Sequence, residues 1–141
     1  MSFDCSAYMG KSFIWNGDGT VGYDCVSLCV SILEKVKGRE FLYPEKFFHD
    51  PQELNPDTNT LMERVLGRMS PVKVEVINKP TKEELVLGDI FMYRCMRMPF
   101  HVGVYVGNEK ILSCVEGQGV IMISLHDQSW CRRINGVFRW L

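Results

Sequence analysis

The stretch Gly22-Tyr23-Asp24-Cys25-Val26-Ser27-Leu28-Cys29-Val30-Ser31-Ile32-Leu33 decides the reading of this 141-residue chain. A turn carrying Gly22 and Asp24 runs straight into an apolar segment, and a cysteine sits at the junction. Val26, Val30 and Leu33 recur at helical spacing, as do Cys29, Ile32, Leu33 and Val36, so the segment reads as a mostly buried helix. Asp24 suits the N-cap, where its carboxylate accepts from N–H groups of the first turn, and Cys25 falls in that turn. Lys35, Lys37 and then Gly38 close the segment, as a helix C-terminus prefers.

A thiol at a helix start can be chemically useful. Free cysteine titrates near pH ~8.5, which leaves only about 3% thiolate at neutral pH. Reaching mostly thiolate means lowering the pKa by roughly 2.5 units, or about 3.4 kcal/mol. A helix N-terminus contributes at most ~2 kcal/mol, so a second group, most simply an imidazole, has to supply the rest. The competing reading makes Cys25 a small buried residue, the commonest fate of an intracellular cysteine. Both readings stand on this segment alone.

Outward from the helix, the chain has the size of one domain, 1–141, with enough residues for a core without staples. Hydrophobic content of 46% and charged content of 23% are ordinary for a globular protein. The net charge of -1 and the lack of a basic run argue against nucleic acid or a membrane surface as partner. No apolar run reaches membrane-spanning length, and residues 1–12 lack a signal peptide's pattern, so synthesis and folding in the cytoplasm are expected. Reduced thiols are then expected for Cys5, Cys25, Cys29, Cys95, Cys114 and Cys131. No paired C-x-x-C spacing marks a zinc site; Cys25 and Cys29 make only half of one.

Residues 1–22 read as a loop-rich lead-in, with an apolar cluster at Ser12-Phe13-Ile14-Trp15 and strong turn signals at Asn16-Gly17-Asp18-Gly19. Past the helix, Pro44, Pro51 and Pro56 make residues 39–56 irregular, with Phe41, Tyr43, Phe47 and Phe48 dense among them and His49 at the surface. Asp57 or Thr58 can cap a second helix to about Met69. Val72, Val74 and Val76 alternate with Lys73 and Glu75 as in a half-buried strand. From there strands are expected at Asp89–Tyr93, at His101–Gly107, at Ile111–Val115, at Val120–Leu125 and at Gly136–Leu141, with Arg94–Pro99 as a loop. A helix followed by an antiparallel meander is an α+β layout. In His101-Val102-Gly103-Val104-Tyr105-Val106-Gly107 the valines face one side, while His101, Gly103 and Tyr105 face the other. The bare Gly103 leaves room for another element to approach. If the Cys25 helix approaches there, thiol and imidazole meet; otherwise His101 is a strand-edge histidine satisfied by water or backbone.

Tyr23-Asp24-Cys25-x-Ser27-Leu28, Gly88-Asp89-Ile90 and His101-Val102-Gly103-Val104-Tyr105-Val106-Gly107 together resemble the NlpC family of papain-like cysteine peptidases. That family cleaves peptide bonds in bacterial peptidoglycan. Leu42-Tyr43-Pro44 and the ending Trp130-Cys131-Arg132-Arg133-Ile134-Asn135-Gly136-Val137-Phe138-Arg139 look more like its bacteriophage tail-assembly branch. The resemblance implies a cysteine-bearing helix packed on an antiparallel sheet of about five to six strands. It implies Cys25 as nucleophile, His101 as general base and the Cys25 backbone amide as an oxyanion donor, with no metal and no cofactor. Tyr23, Asp24, Trp15 and Phe13 are the candidates for a substrate cleft. The implied partners are peptidoglycan stem peptides, cut after a γ-linked D-glutamate, and other phage tail proteins, which would put the protein in a virion tail.

The chain departs from the family pattern twice. A third polar residue, usually histidine, orients the imidazole in the family, and the position at that spacing is Ser113. A tyrosine near the oxyanion is replaced by Phe13, which has no hydroxyl. A hairpin centred on Gly107 sets Ser113 opposite His101, a Gly107-Asn108 turn sets Cys114 there, and a longer loop sets Glu116 there. These departures keep open a structural tail protein with a degenerate site. An amide or thioester hydrolase on non-wall substrates also fits a thiol–imidazole pair.

Overall fold

The computed structural model describes residues 2–15, 17, 19–38, 74–77, 80–95 and 98–140. The expected helix over 57–69, the irregular stretch 39–56 and Val72 lie outside them.

The opening helix forms as its sequence dictates. Helix α1 spans Cys25–Lys37, and Asp24 caps it: the Asp24 carboxylate accepts from Ser27 N at 2.8 Å, while Asp24 N donates to Ser27 Oγ at 2.9 Å. This reciprocal box satisfies donors that the first helical turn cannot pair internally. Gly38 ends the helix at φ 68, a left-handed conformation that costs glycine nothing sterically. Ahead of α1, strands β1 (Ser12–Phe13) and β2 (Gly22–Tyr23) form a short parallel pair. The two backbones come so close that a Cβ on Gly22 would lie 2.1 Å from Ser12 O.

The sheet comprises β3 (Val74–Ile77), β4 (Ile90–Cys95), β5 (Met98–Gly107), β6 (Lys110–Val115), β7 (Gly119–Ser124) and β8 (Ile134–Trp140). A short helix α2, Gln128–Cys131, precedes β8. The spatial order is β3-β8-β4-β5-β6-β7, so the expected simple meander is corrected: the last strand inserts between β3 and β4. The expected loop at Arg94–Pro99 is also shorter, because β4 runs through Cys95 and β5 already begins at Met98. His101 therefore sits inside β5, not at its start.

Side-chain alternation divides the core into two layers. On one face of the sheet, Ile90, Met92, Val102, Val104, Val106, Leu112, Cys114 and Val120 pack with Cys25, Val26, Leu28, Cys29, Ile32 and Leu33 of α1. On the other, Phe91, Tyr93, Tyr105, Ile111, Val115, Ile123 and Val137 are buried, with Trp130 and Ile134 against them. The first and last parts of the sheet are tied by charge. Arg139 grips the buried Asp89 with Nε on Oδ1 at 2.9 Å and Nη2 on Oδ2 at 2.9 Å, and Nη2 also reaches Glu84 O at 2.8 Å. The Gly88-Asp89-Ile90 motif is thus a structural clamp: Asp89 Oδ2 also accepts from Val86 N at 3.0 Å and fixes the turn entering β4.

Candidate functional site

Cys25 is the first residue of α1 and is fully buried. Burial pushes its thiol well above the ordinary cysteine value, and the neighbouring Asp24 carboxylate pushes the same way. The Val102 backbone N–H works against that rise. Sequence reasoning expects a thiolate sustained by the helix N-terminus and an imidazole; the resting structure instead holds a neutral thiol. The reason is desolvation, which disfavours the charged form and outweighs the helix end when no water reaches the sulfur. Cys29 and Cys114 are buried close by, and burial raises Cys114 to about 12. Cys114 Sγ donates to Tyr23 O at 3.1 Å, a structural bond that holds β2 against β6. Cys5, Cys25, Cys29, Cys114 and Cys131 are free thiols.

His101 is fully buried as well, and burial lowers it from 6.5 to about 4. It pairs across the ladder with Tyr93, and the two rings stack at 5.3 Å between centroids with 25° between planes. It belongs to the strand face that carries Tyr93 and Tyr105, whereas α1 lies against the Val102, Val104 and Val106 face. The expectation that α1 enters beside Gly103 is therefore corrected. The element that needs the bare Gly103 is β6, since a Cβ there would lie 2.6 Å from Ile111 Cγ2. What links the thiol to the imidazole is the β5 backbone: the Val102 N–H faces Cys25, and the Val102 carbonyl lies on the side of His101 and Ser113.

Ser113 does reach the imidazole, by a route that none of the three hairpin alternatives contains. The turn is Asn108-Glu109, with φ 51 and 58, joining Gly107 to Lys110. Continued without interruption, that ladder would set Ser113 opposite Val104, on the α1 side. A bulge between Tyr105 and Gly107 moves the register by one, and Ser113 pairs with Gly103. It then touches His101 diagonally, Oγ to Nδ1 at 3.4 Å. Ser113 Oγ donates to Val102 O at 2.9 Å and accepts a hydrogen bond from the Tyr93 hydroxyl. Neither Cys114 nor Glu116 takes the place beside the imidazole: Cys114 is in the α1 layer and Glu116 is exposed.

The expected cleft residues are found together ahead of α1. Phe13 and Trp15 meet edge to face at 5.0 Å, and both pack, half-buried, against the α1-side core. Tyr23 lies 5.7 Å from the ring of Tyr8. Asp24 is fully buried and spent on the helix cap. Sequence reasoning missed Tyr93. Its signal was available in the register, because a β4 residue paired with His101 has to share its face. Among the described residues, no group of three or more His, Cys, Asp or Glu side chains gathers as metal ligands do, and no helix is long and apolar enough to cross a membrane.

A cysteine at the head of a helix, laid on an antiparallel sheet, defines a papain-like α+β protein. The profile of the NlpC/P60 family matches residues 10–139, and the chain belongs to that family. It is 28% identical over 125 residues to a probable endopeptidase NlpC homolog of Haemophilus influenzae, covering 89% of this chain and 53% of that protein. It is 29% identical over 76 residues to the murein DD-endopeptidase MepS/murein LD-carboxypeptidase of Escherichia coli K12, covering 54% of this chain and 40% of that one. The chain thus spans about half or less of these relatives' length. In fold it is similar to NlpC2 of Trichomonas vaginalis, with TM-score 0.61 and 15% identity over 96% of this chain and 43% of that one. An NlpC/P60 family protein of Bacillus cereus gives TM-score 0.59 and 18% identity, covering 100% and 41% of the two chains.

Proposed function

We propose that this protein is a cysteine peptidase that cuts the peptide stems of peptidoglycan, with Cys25 as nucleophile and His101 as general base. The observation that carries this reading is His101 Nε2. Among the described residues it is the buried side-chain nitrogen without a hydrogen-bond partner, as suits an imidazole waiting to accept a proton. A buried polar atom left unpaired costs about 1–3 kcal/mol, a cost that a purely structural histidine would have relieved.

Both groups rest neutral, so proton transfer accompanies attack instead of preceding it. The Cys25 sulfur bonds to the amide carbonyl carbon as its proton passes to His101. The Cys25 backbone N–H, unpaired within the helix at that position, stabilises the oxyanion. Collapse breaks the C–N bond, and the departing amine takes the proton from His101. Water, deprotonated by His101, then hydrolyses the thioester. Ser113 holds the imidazole from its far side. Attack requires the site to rearrange, since thiol and imidazole are both sealed from solvent and lie against opposite faces of β5 here, and the proton passes only once they are brought together.

The bond after a γ-linked D-glutamate is the first candidate, and the DD and LD bonds in the name of the Escherichia coli relative are the others. The finer proposal, a component of a phage tail that is made in the cytoplasm and opens the wall during entry, draws on Leu42-Tyr43-Pro44 and the 130–139 ending. The full burial of Cys25 favours a second reading, a structural tail protein of the same fold with a silent site. A digest of defined muropeptides followed by mass spectrometry separates the two. Stem cleavage that disappears in Cys25→Ala is expected, and cleavage by neither protein would refute the peptidase.

A further inference from the structure

We infer that Tyr93 is a positioning residue that fixes the proton of His101 on Nδ1 through the hydroxyl of Ser113. This rests on the proposed hydrolase reading for its catalytic meaning, and on hydrogen-bond accounting for its physical content.

A serine hydroxyl has one proton and two lone pairs. The Ser113 proton is committed to Val102 O at 2.9 Å. One lone pair of Oγ accepts from the Tyr93 hydroxyl. What remains towards His101 Nδ1, at 3.4 Å, is the second lone pair. The partner of Nδ1 therefore demands a donor, so Nδ1 carries the hydrogen and Nε2 presents its lone pair. That agrees with Nε2 being buried without a partner. In the opposite tautomer, a bare Nδ1 would face the lone pair of Ser113 Oγ.

The tyrosine is what holds Ser113 in this role. Without a donor at its first lone pair, the Ser113 hydroxyl is free to swing its proton from Val102 O to Nδ1. His101 would then carry its hydrogen on Nε2, the atom needed as base. Stacking of the Tyr93 ring on the imidazole fixes the ring plane, but only the hydroxyl fixes the tautomer. Tyr93 and Trp130 meet edge to face at 5.6 Å, which keeps the phenol from turning away.

The substitution that separates the two is Tyr93→Phe, which keeps the ring and removes the hydroxyl. Imidazole 15N NMR near neutral pH reads the tautomer directly, whether or not the protein cleaves anything. The wild type is expected to show His101 with Nδ1 protonated, and Tyr93→Phe a mixture of both tautomers. In the muropeptide digest, kcat should fall about threefold to tenfold with KM nearly unchanged, the effect of one hydrogen bond lost from a base-orienting chain. In a Ser113→Ala background, Tyr93→Phe should change neither readout further. A Tyr93→Phe spectrum identical to wild type, or an Nε2-protonated wild type, would overturn the assignment. If Tyr93→Phe does not fold, the wild-type tautomer compared with that of Ser113→Ala decides. A wild type that cleaves nothing refutes the hydrolase and leaves the spectra to judge Tyr93.

Discussion

Acid should loosen this fold through the buried imidazole of His101. His101 titrates at about 4 when folded, against 6.5 for the unperturbed side chain. The unfolded chain thus binds a proton that the folded chain refuses, and stability must fall with pH across the interval between the two values. At about 1.4 kcal/mol per pH unit, the full loss is about 3 kcal/mol. It is absent above the unfolded value, mostly expressed by pH ~4.5, and complete below the folded one. That is a large part of the ~5–15 kcal/mol that keeps a domain folded. Urea titrations of wild type and His101→Gln at a series of pH values between neutral and ~4.5 measure it. His101→Gln shifts stability at neutral pH by its own packing cost, so the quantity to compare is the slope. Wild type should lose about 2–3 kcal/mol more than the variant over this range. Parallel curves would mean that water or an acidic partner already reaches the imidazole, and the neutral resting pair would be wrong.

The Asp89–Arg139 clamp gives a second expectation. Arg139→Met leaves a fully buried carboxylate with its strongest partner gone, and unfolding free energy in urea should drop by about 3 kcal/mol. Cys25, sealed and neutral, should react with iodoacetamide near neutral pH more slowly than the half-buried Cys131, as peptide mapping would show. Faster labelling of Cys25 would place its sulfur in contact with water at rest.

Much of this structure was legible locally. Asp24, Ser27 and Gly38 marked the helix ends because capping is decided within a few residues, and the structure has the same ends. The Val102, Val104 and Val106 stripe marked a strand because alternation is a local signature. Position in the sheet was not legible: β8 reaches its place between β3 and β4 through pairings with residues far back in the chain, which no nearby pattern encodes. The candidate site failed for the same reason in part. Cys25, His101 and Ser113 could be named from motif and spacing, but the face that α1 covers and the burial of both reacting groups depend on packing between distant segments.

The irregularity between Tyr105 and Gly107 gives strand register an unusual importance in this chain. A slip of one residue in a ladder turns each side chain of the moving strand to the other face of the sheet. Here a slip that draws the extra residue into the ladder, with the Asn108-Glu109 turn unchanged, would keep the strands paired yet exchange what lies next to the imidazole. Cys114 would come round to the position of the serine, and the serine would be swallowed by the layer beneath the helix. An alteration measured as one peptide unit, some distance from any reacting atom, would thus replace a hydroxyl by a thiol at the base.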